Sequence, residues 1–341
     1  MRRVIVRPEG VQVVDAERPE PLPGEVLVEM SVSGVCGSDV HAAAGHHPFV
    51  PLPYLPGHEV VGTVRAVGAG VDGVAVGDHI TVEPTLPCGE CKMCRTGRSH
   101  ICEHLRFFGC GYDQGGMADH FTVPVGRVHV LPTDITDLQA SLIEPLSTPV
   151  HAERISGGVE GKAVVIIGAG TIGLLMLAAV RYAGARTVVV TDMLESKRER
   201  AGRLGADAVV DAGDPDMVQH VREILGESAD VVFDCVALQP TVDQAFGLAQ
   251  KGGTVVIVGV PQKDVTVPLP KLQDLQMRLQ GSATYMPEDY ERSIEIIRAG
   301  LVRPEDFITA TFPLEQAADA FAAAATGHEV KVLVTRELLA G

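Results

Sequence analysis

Four cysteines stand close together in the segment CGECKMCRTGRSHIC, with the spacing C-x2-C-x2-C-x7-C. They are Cys88, Cys91, Cys94 and Cys102. A structural zinc site takes four nitrogen or sulfur ligands in a tetrahedron, and four thiolates leave no open position for chemistry. A disulfide framework is the alternative, but the cysteines cluster in a long chain whose start, MRRVIVRPEG, does not read as a secretory signal. The pattern predicts a structural zinc ion.

A second set of candidate metal ligands lies upstream, in the segments GVCGSDVH and PGHE. Cys36, His58 and Glu59 are all competent zinc ligands, and three protein ligands with one open position are typical of a catalytic zinc site. Taken alone, Cys36 is more readily explained as a small buried thiol and His58 as a core histidine. The neighbouring motifs favour ligation instead.

A glycine motif of the type G-x-G-x-x-G, spelled GAGTIG, directly follows the apolar run AVVII. Gly168 permits a tight turn, Gly170 lets a pyrophosphate approach the backbone, and Gly173 lets the following helix pack closely on the strand. Thr171 and Ile172 lie at the start of that helix, whose free N–H groups attract phosphate. The motif predicts a dinucleotide site.

An acidic residue stands where such a site needs one. Asp192 ends the next apolar run, TVVVTD, 19 residues after Gly173. Its carboxylate can accept hydrogen bonds from the adenosine ribose and would repel a 2′-phosphate, so we expect NAD rather than NADP. Lys197, one turn into the next helix, either contacts the same ribose or is a solvated surface lysine.

The elements that position these residues fall into two kinds. Residues 1–150 contain short alternating segments, such as Val26–Val32 and Glu59–Val67, separated by glycine and proline, which predicts an irregular β-rich domain. From about Lys162, apolar β-branched runs alternate with helical stretches, which predicts a doubly wound parallel sheet over residues 151–281. Residues 282–341 are expected to return to the first domain.

Composition narrows the classes of function. The 341 residues are 46% hydrophobic and carry a net charge of −16, so we expect neither a nucleic-acid partner nor an anionic membrane surface. The longest apolar run, residues 163–180, is broken by three glycines, and a strand, turn and helix explain it better than a membrane span. We therefore expect a soluble, cytoplasmic protein.

The sequence resembles the zinc-dependent medium-chain alcohol dehydrogenases, and within them the sorbitol, or polyol, dehydrogenase branch. The resemblance runs nearly end to end through the motifs GVCGSDVH, PGHEVVGTV, TGRSHIC, LIEPLS followed by HA, IIGAGTIG, VVVTD and KGGTVVIVG. It implies an α/β protein with a GroES-like catalytic domain built from both ends of the chain and a Rossmann domain between them. It also implies a homotetramer or homodimer.

The resemblance also implies roles for individual residues. The upstream set of Cys36, His58 and Glu59 would hold the catalytic zinc, and Glu144 would be a further carboxylate, bound directly or through water. Ser38 and His41 match a relay that carries the alcohol proton away. Ser38 has an alternative role as a helix cap.

The chain departs from the polyol branch at two places that contact substrate. The family's tyrosine after the relay histidine is missing from the segment AAAG, Ala42–Gly45, and Thr284 stands where the family has an arginine, beside the retained Tyr285. We therefore expect a secondary alcohol of a polyol, sugar alcohol or cyclitol to be oxidised to a ketone, with sorbitol itself in doubt.

Two alternatives remain open. The first is an enzyme like L-threonine 3-dehydrogenase, which shares the ligand set, although the carboxylate of EPLS argues against it. The second is a zinc-containing NAD-binding sensor without catalysis. A sensor would be expected to lack the catalytic ligands or the relay, and this sequence has both.

Overall fold

The computed structural model describes residues 1–47 and 50–337, and the chain divides into two compact units. The first unit comprises Met1–Glu144 and Val302–Gly341, and the second comprises Pro145–Leu301. These limits of the two units differ from the expected domain limits at 150/151 and 281/282. The reason is that the helix Pro287–Arg298 packs with the helix Ile143–Ile155, where the hydroxyls of Ser293 and Ser147 form a hydrogen bond. The domain limits stay a prediction, and residues 338–341 of the expected range lie outside the described residues.

The first unit is built mainly of β-strands, numbered here in chain order over the whole molecule. They are β1 (Arg2–Arg7), β2 (Gly10–Asp15), β3 (Glu25–Val35), β4 (Glu59–Val67), β5 (His79–Val82), β6 (Thr85–Leu86), β7 (Arg106–Phe107), β8 (His120–Pro124), β9 (Val128–Val130), β16 (Ile308–Pro313) and β17 (Lys331–Thr335). Strands β16, β17, β3, β4, β5 and β9 lie side by side in that order, and β8 also pairs with β3. Strand β17 thus brings the end of the described chain into the first domain's sheet.

Short helices connect these strands. They are α1 (Gly37–Ala43), α2 (Lys92–Arg95), α3 (Asp137–Ala140), α11 (Pro304–Phe307) and α12 (Ala317–Ala325), with 3₁₀ turns at Ser99–Ile101, Val125–Arg127 and Leu314–Gln316. The core of the unit is apolar and β-branched, with Val28, Met30, Val64, Phe121 and Val334 fully buried together. Most side chains of β3 are buried, and the strand has hydrogen-bonded neighbours on both edges.

The second unit contains one parallel sheet of six strands. The strands are β10 (Ala163–Ile167), β11 (Thr187–Asp192), β12 (Ala208–Asp211), β13 (Ala229–Asp234), β14 (Ala249–Ile257) and β15 (Arg278–Gly281). Their order is β12-β11-β10-β13-β14-β15, and every neighbouring pair is parallel. This is the strand order of a doubly wound dinucleotide-binding sheet, in which ligands bind where the order reverses, beyond the carboxyl end of β10.

The helices of this unit alternate with its strands. They are α4 (Ile143–Ile155), which begins in the first unit, α5 (Thr171–Tyr182), α6 (Glu195–Arg203), α7 (Met217–Leu225), α8 (Gln239–Leu248), α9 (Leu269–Asp274) and α10 (Pro287–Arg298). All five side chains of β10 are buried, as expected for a strand covered on both faces. Within residues 1–47 and 50–337, no helix has the length and apolar character needed to cross a bilayer.

Candidate active site

The four-cysteine segment folds into a compact cluster of sulfurs, which we call the cysteine lobe (Cys88, Cys91, Cys94, Cys102). All four Sγ atoms lie within 4.8 Å of one another. The Sγ of Cys91 is 3.5 Å from that of Cys94 and 3.7 Å from that of Cys102, and Cys88 and Cys102 are separated by 3.5 Å. Four sulfurs at about 2.3 Å from one zinc ion would stand roughly 3.8 Å apart. The lobe therefore has the dimensions of a structural zinc site.

Backbone N–H groups fix these sulfurs. The N–H of Cys94 donates to the sulfur of Cys91 at 3.5 Å, that of Cys91 to Cys88 at 3.4 Å, and those of Cys88 and His104 to Cys102, both at 3.3 Å. The N–H of Cys94 is the largest cause that lowers the pKa of Cys91 to about 6, whereas burial and then the contact with Cys91 raise the pKa of Cys94 to about 12. Sulfurs packed this closely compete for protons, and a zinc ion would hold them together as thiolates.

The predicted catalytic ligands come together at the ends of two neighbouring elements. Cys36 directly precedes α1, His58 directly precedes β4, and Glu59 is the first residue of β4. One donor atom from each of the three lies within 4.8 Å of the other two. His58 and Glu59 are buried, whereas Cys36 is partly exposed. This group, called the ligand triad below, is compact enough to hold one zinc ion.

A buried carboxylate, not singled out from the sequence, orients the ligand triad. Asp39 accepts the backbone N–H of Cys36 at 3.1 Å and the hydroxyl of Tyr54 at 3.2 Å, and lies 3.9 Å from Nδ1 of His58. The sulfur of Cys110 is 3.4 Å from the same Nδ1. Because Nδ1 faces these two groups, Nε2 is the nitrogen available to a metal. A local signal for Asp39 existed, since it completes a capping box with Cys36.

The surroundings of His58 favour positive charge. Burial alone would lower the pKa of His58, but Cys110 and then Asp39 raise it, and the net pKa lies well above its usual value. Cys110 packs against the core of the first unit, and its sulfur also contacts His58. Because a metal binds only neutral imidazole, a zinc ion would have to displace this proton from His58.

A lysine that sequence reasoning missed completes the site. Nζ of Lys331 lies 2.6 and 2.7 Å from the two carboxylate oxygens of Glu59, and both side chains are almost fully buried. Burial lowers the pKa of Lys331, but Glu59 and then Cys36 raise it more, with a further contribution from Glu144. The pair joins residues 272 positions apart, and no local motif indicates it.

The other predicted residues of the first unit lie on the helices α1 and α4. Glu144 is buried in the first turn of α4, and its charge acts on Lys331, although it stands outside the triad. Ser38 and His41 lie three residues apart on α1 and so share a face of that helix. Cys36, rather than Ser38, is the N-cap residue. The roles of these residues stay predictions.

The glycine turn of the second unit shows three different constraints. Gly168 has φ +94°, and a Cβ there would meet Val236 at 2.6 Å. A Cβ on Gly173 would lie 1.8 Å from the carbonyl oxygen of Gly168, so helix α5 and the turn pack too closely for a side chain. A Cβ on Gly170 would meet nothing within 4 Å. The open space lies at the glycine where a pyrophosphate would approach, at the start of α5.

The predicted ribose ligand lies beside this turn. Asp192 accepts the N–H of Ala169 at 2.8 Å through Oδ2 and the N–H of Leu194 at 2.9 Å through Oδ1. Each carboxylate oxygen retains a second acceptor site for a ribose hydroxyl. Lys197 is half-buried in α6, whereas the neighbouring Arg198 donates to the carbonyl of Asp192 at 2.8 Å.

The two predicted substrate residues have unlike environments. Thr284 has φ +51°, a strained conformation for a β-branched residue, and its hydroxyl donates to the carbonyl of Ala283 at 2.8 Å. Tyr285 is buried, and its ring packs edge-on against Tyr290 at 5.4 Å. Their contact with substrate stays a prediction.

Comparison with known proteins agrees with this geometry. Residues 22–133, which include the ligand triad and the cysteine lobe, match the alcohol dehydrogenase GroES-like domain. Residues 171–299 match the zinc-binding dehydrogenase domain. The fold class and the resemblance predicted from the sequence are therefore confirmed.

Relatives cover nearly the whole chain. The D-xylulose reductase A of Aspergillus niger is 31% identical over 96% of this chain and 94% of its own length. The sorbitol dehydrogenase of Bacillus subtilis is 30% identical over 87% of this chain and 85% of its own. A Sinorhizobium meliloti protein described as a zinc-binding dehydrogenase, solved with NADP, is 33% identical with a TM-score of 0.91, covering 98% of this chain and 99% of the other.

Proposed function

Because the chain belongs to the zinc-binding dehydrogenases of the alcohol dehydrogenase family, we propose that it oxidises a secondary alcohol of a polyol, sugar alcohol or cyclitol to a ketone and transfers the hydride to NAD. The observation that carries this proposal is the ligand triad of Cys36, His58 and Glu59, in which His58 and Glu59 are buried and Glu59 pairs with the ammonium of Lys331. A sensor that only holds NAD would not need this second set of metal ligands.

The side chains of the first unit have three roles: they hold the zinc, orient its ligands and carry the alcohol proton away. Cys36, His58 and Glu59 hold the zinc, which, when bound, makes an alcohol hydroxyl acidic enough to ionise near neutral pH. Asp39 keeps His58 turned so that Nε2 is available to the metal. Ser38 then accepts the alcohol proton at Oγ and passes it to the ring of His41, one turn further along α1 and exposed to solvent.

The second unit binds the dinucleotide. The turn from Gly168 to Gly173 and the start of α5 receive the pyrophosphate, and Asp192 receives the adenosine ribose. The Sinorhizobium meliloti relative was solved with NADP, so family membership alone does not decide between the two cofactors. The carboxylate of Asp192 supports NAD, because a 2′-phosphate would lie against its negative charge.

The substrate is a polyol-like secondary alcohol other than open-chain sorbitol. Thr284 offers one hydroxyl where a guanidinium would offer five donors, so the pocket donates less to a chain of hydroxyls. The relatives described above are named for xylulose and sorbitol, which makes threonine the weaker alternative. The proposal extends to a cytoplasmic location, which the composition favours, and to a homotetramer or homodimer, which the family resemblance implies.

Absorbance at 340 nm tests the activity directly. The purified protein is given NAD and a panel of open-chain alditols, inositols, aminocyclitols, simple secondary alcohols and threonine. We expect NADH to form with at least one polyol or cyclitol, and we expect Cys36→Ser to abolish the signal. NADH formation with threonine alone would support the runner-up. Cofactor binding without turnover on any alcohol, by protein containing both zinc ions, would support the sensor.

A further inference from the structure

Nδ1 of His58 faces two side chains, and Cys110 is the nearer one. Its Sγ lies 3.4 Å from Nδ1, a distance that matches the N–H contacts to sulfur in the cysteine lobe, at 3.3–3.5 Å. Oδ2 of Asp39 lies 3.9 Å from the same nitrogen, which is too far for a hydrogen bond. The direct partner of this nitrogen is therefore a sulfur, and the carboxylate acts on it only through its charge.

Other donors hold Asp39 at this distance. Its Oδ2 accepts the backbone N–H of Cys36 at 3.1 Å, and its Oδ1 accepts the hydroxyl of Tyr54 at 3.2 Å. Tyr54 is itself fixed, because it is buried and its backbone exchanges two hydrogen bonds with Val6 of β1, at 2.9 and 3.0 Å. The carboxylate could approach His58 only by giving up bonds in the protein interior, which is costly.

Close packing of two backbone segments places Cys110 against His58. Gly109, the residue before Cys110, has φ +73°, and a Cβ there would lie 2.5 Å from the carbonyl carbon of Gly57 and 2.6 Å from the backbone nitrogen of His58. The N–H of Cys110 donates to the carbonyl oxygen of Phe107 at 3.1 Å. The ring of Phe107 packs edge-on against that of His58, with their centroids 5.8 Å apart. Because Gly109 has no side chain, the backbone before Cys110 can lie directly against that of His58.

We propose that Cys110 is a positioning residue for the catalytic zinc site. Its sulfur accepts the Nδ1 hydrogen of His58 and so leaves Nε2 for the metal, while the negative charge of Asp39 favours the hydrogen on Nδ1. The outer partner of a zinc-binding histidine fixes its tautomer and the orientation of its ring. In this chain the contact and the charge come from two different residues. This inference rests on the proposed function, since it concerns the same zinc site.

Zinc affinity tests this role without relying on turnover. Zinc bound per chain is measured while a chelator sets the free zinc concentration, and the Cys36→Ser chain identifies the portion held by the cysteine lobe. Cys110→Ala removes the acceptor and should raise the free zinc needed to half-fill the triad by about tenfold. This is the lower end of the range for an outer partner, because sulfur is a weak acceptor. Cys110→Ser, which keeps an acceptor on a shorter side chain, should lie between wild type and Cys110→Ala.

A second measurement separates positioning from simple structural support. With cobalt(II) in place of zinc, the visible absorption bands report the geometry of the metal's ligands, and the Cys36→Ser chain again identifies the bands of the lobe. The triad bands should shift in Cys110→Ala. The matched control is Cys235→Ala, which removes a half-buried thiol from the second unit and should change neither zinc affinity nor the cobalt bands. If Cys110→Ala does not fold, as judged by circular dichroism, Cys110→Ser carries the test.

The outcomes are distinct. A triad affinity within twofold of wild type, with unchanged cobalt bands, in folded Cys110→Ala would overturn the role of Cys110 while leaving the dehydrogenase proposal intact. An equal loss of zinc from the lobe would also overturn it, because the substitution would then weaken the unit as a whole. A wild-type chain that holds only the lobe zinc, or that reduces no NAD with any alcohol, would instead count against the proposed function.

Discussion

The cysteine lobe and the ligand triad both offer metal-binding side chains in the first unit, yet different groups hold them in place. In the lobe, backbone N–H groups from within the segment 88–104 donate to the sulfurs. In the triad, side chains from distant segments act on the ligands: Cys110 contacts His58 from 52 positions away, and Lys331 contacts Glu59 from 272. The lobe is therefore positioned locally and the triad by the whole fold of the unit.

The difference bears on what each site can do. Four like ligands fixed by backbone donors favour one closed geometry, which suits a metal that stabilises a segment. Mixed ligands with charged partners can change their interactions while the backbone stays in place. The comparison thus predicts that damage to the triad removes chemistry and that damage to the lobe removes stability.

The largest expected effect comes from the triad. Cys36→Ser should lower the zinc content from two ions per chain to one, because serine is a poor zinc ligand. Activity should fall by about a thousandfold or more, since a bound metal contributes several kcal/mol to the transition state. Metal analysis and kcat/KM with the best alcohol measure these changes. A thermal midpoint close to wild type is expected. A large drop would contradict the division between a catalytic metal in the triad and a structural metal in the lobe.

The matched change in the lobe should lower stability and largely preserve activity. Cys94→Ser should also leave one zinc per chain, but its main effect should be a thermal midpoint lower by on the order of 10 °C, because a structural metal contributes to folding. Activity per folded chain, measured well below that midpoint, should remain within a few-fold of wild type. A complete loss of activity in folded protein would mean that the lobe serves the chemistry directly.

The same contrast explains what the sequence could predict. The cysteine spacing, the glycine turn and the alternating strands and helices are local patterns, and the structure contains the elements they predict. Lys331 could not be found this way, because it contacts Glu59 only after β17 has joined β3. Likewise, no local sequence pattern indicated that α10 would form a hydrogen bond with α4 and belong to the second unit instead of the first.

The cofactor site extends the comparison, because Asp192 is also held by backbone N–H groups. Asp192→Ala should weaken NAD binding by about tenfold and reduce discrimination against NADP, since both the ribose acceptor and the repulsive charge are lost. Asp192→Asn is the control that keeps the shape and removes only the charge. It should relax the discrimination with a smaller loss of NAD affinity. Wild-type protein that already reduces NADP faster than NAD at equal concentration would contradict this role.

The smallest effect is expected at Thr284, because a change there removes neither a metal ligand nor a phosphate-binding group. An arginine there would add donors for the oxygens of an open-chain polyol, and sites built on such donors discriminate strongly between substrates. We expect Thr284→Arg to raise kcat/KM for sorbitol and xylitol relative to a cyclitol by a few-fold. The gain is limited because position 284 has φ +51°, a conformation that disfavours arginine as well as threonine.

Thr284→Gly separates the two influences at this position. Glycine accepts a positive φ without strain and adds no donor, so the chain should become slightly more stable while the ratio of sorbitol to cyclitol activity stays as in wild type. If Thr284→Gly changes the ratio as much as Thr284→Arg, the backbone rather than the guanidinium controls selectivity. A wild-type chain whose best substrate is sorbitol, with a ratio that Thr284→Arg leaves unaltered, would remove position 284 from the substrate pocket. Selectivity would then have to come from other residues, with the segment Ala42–Gly45 the next to test.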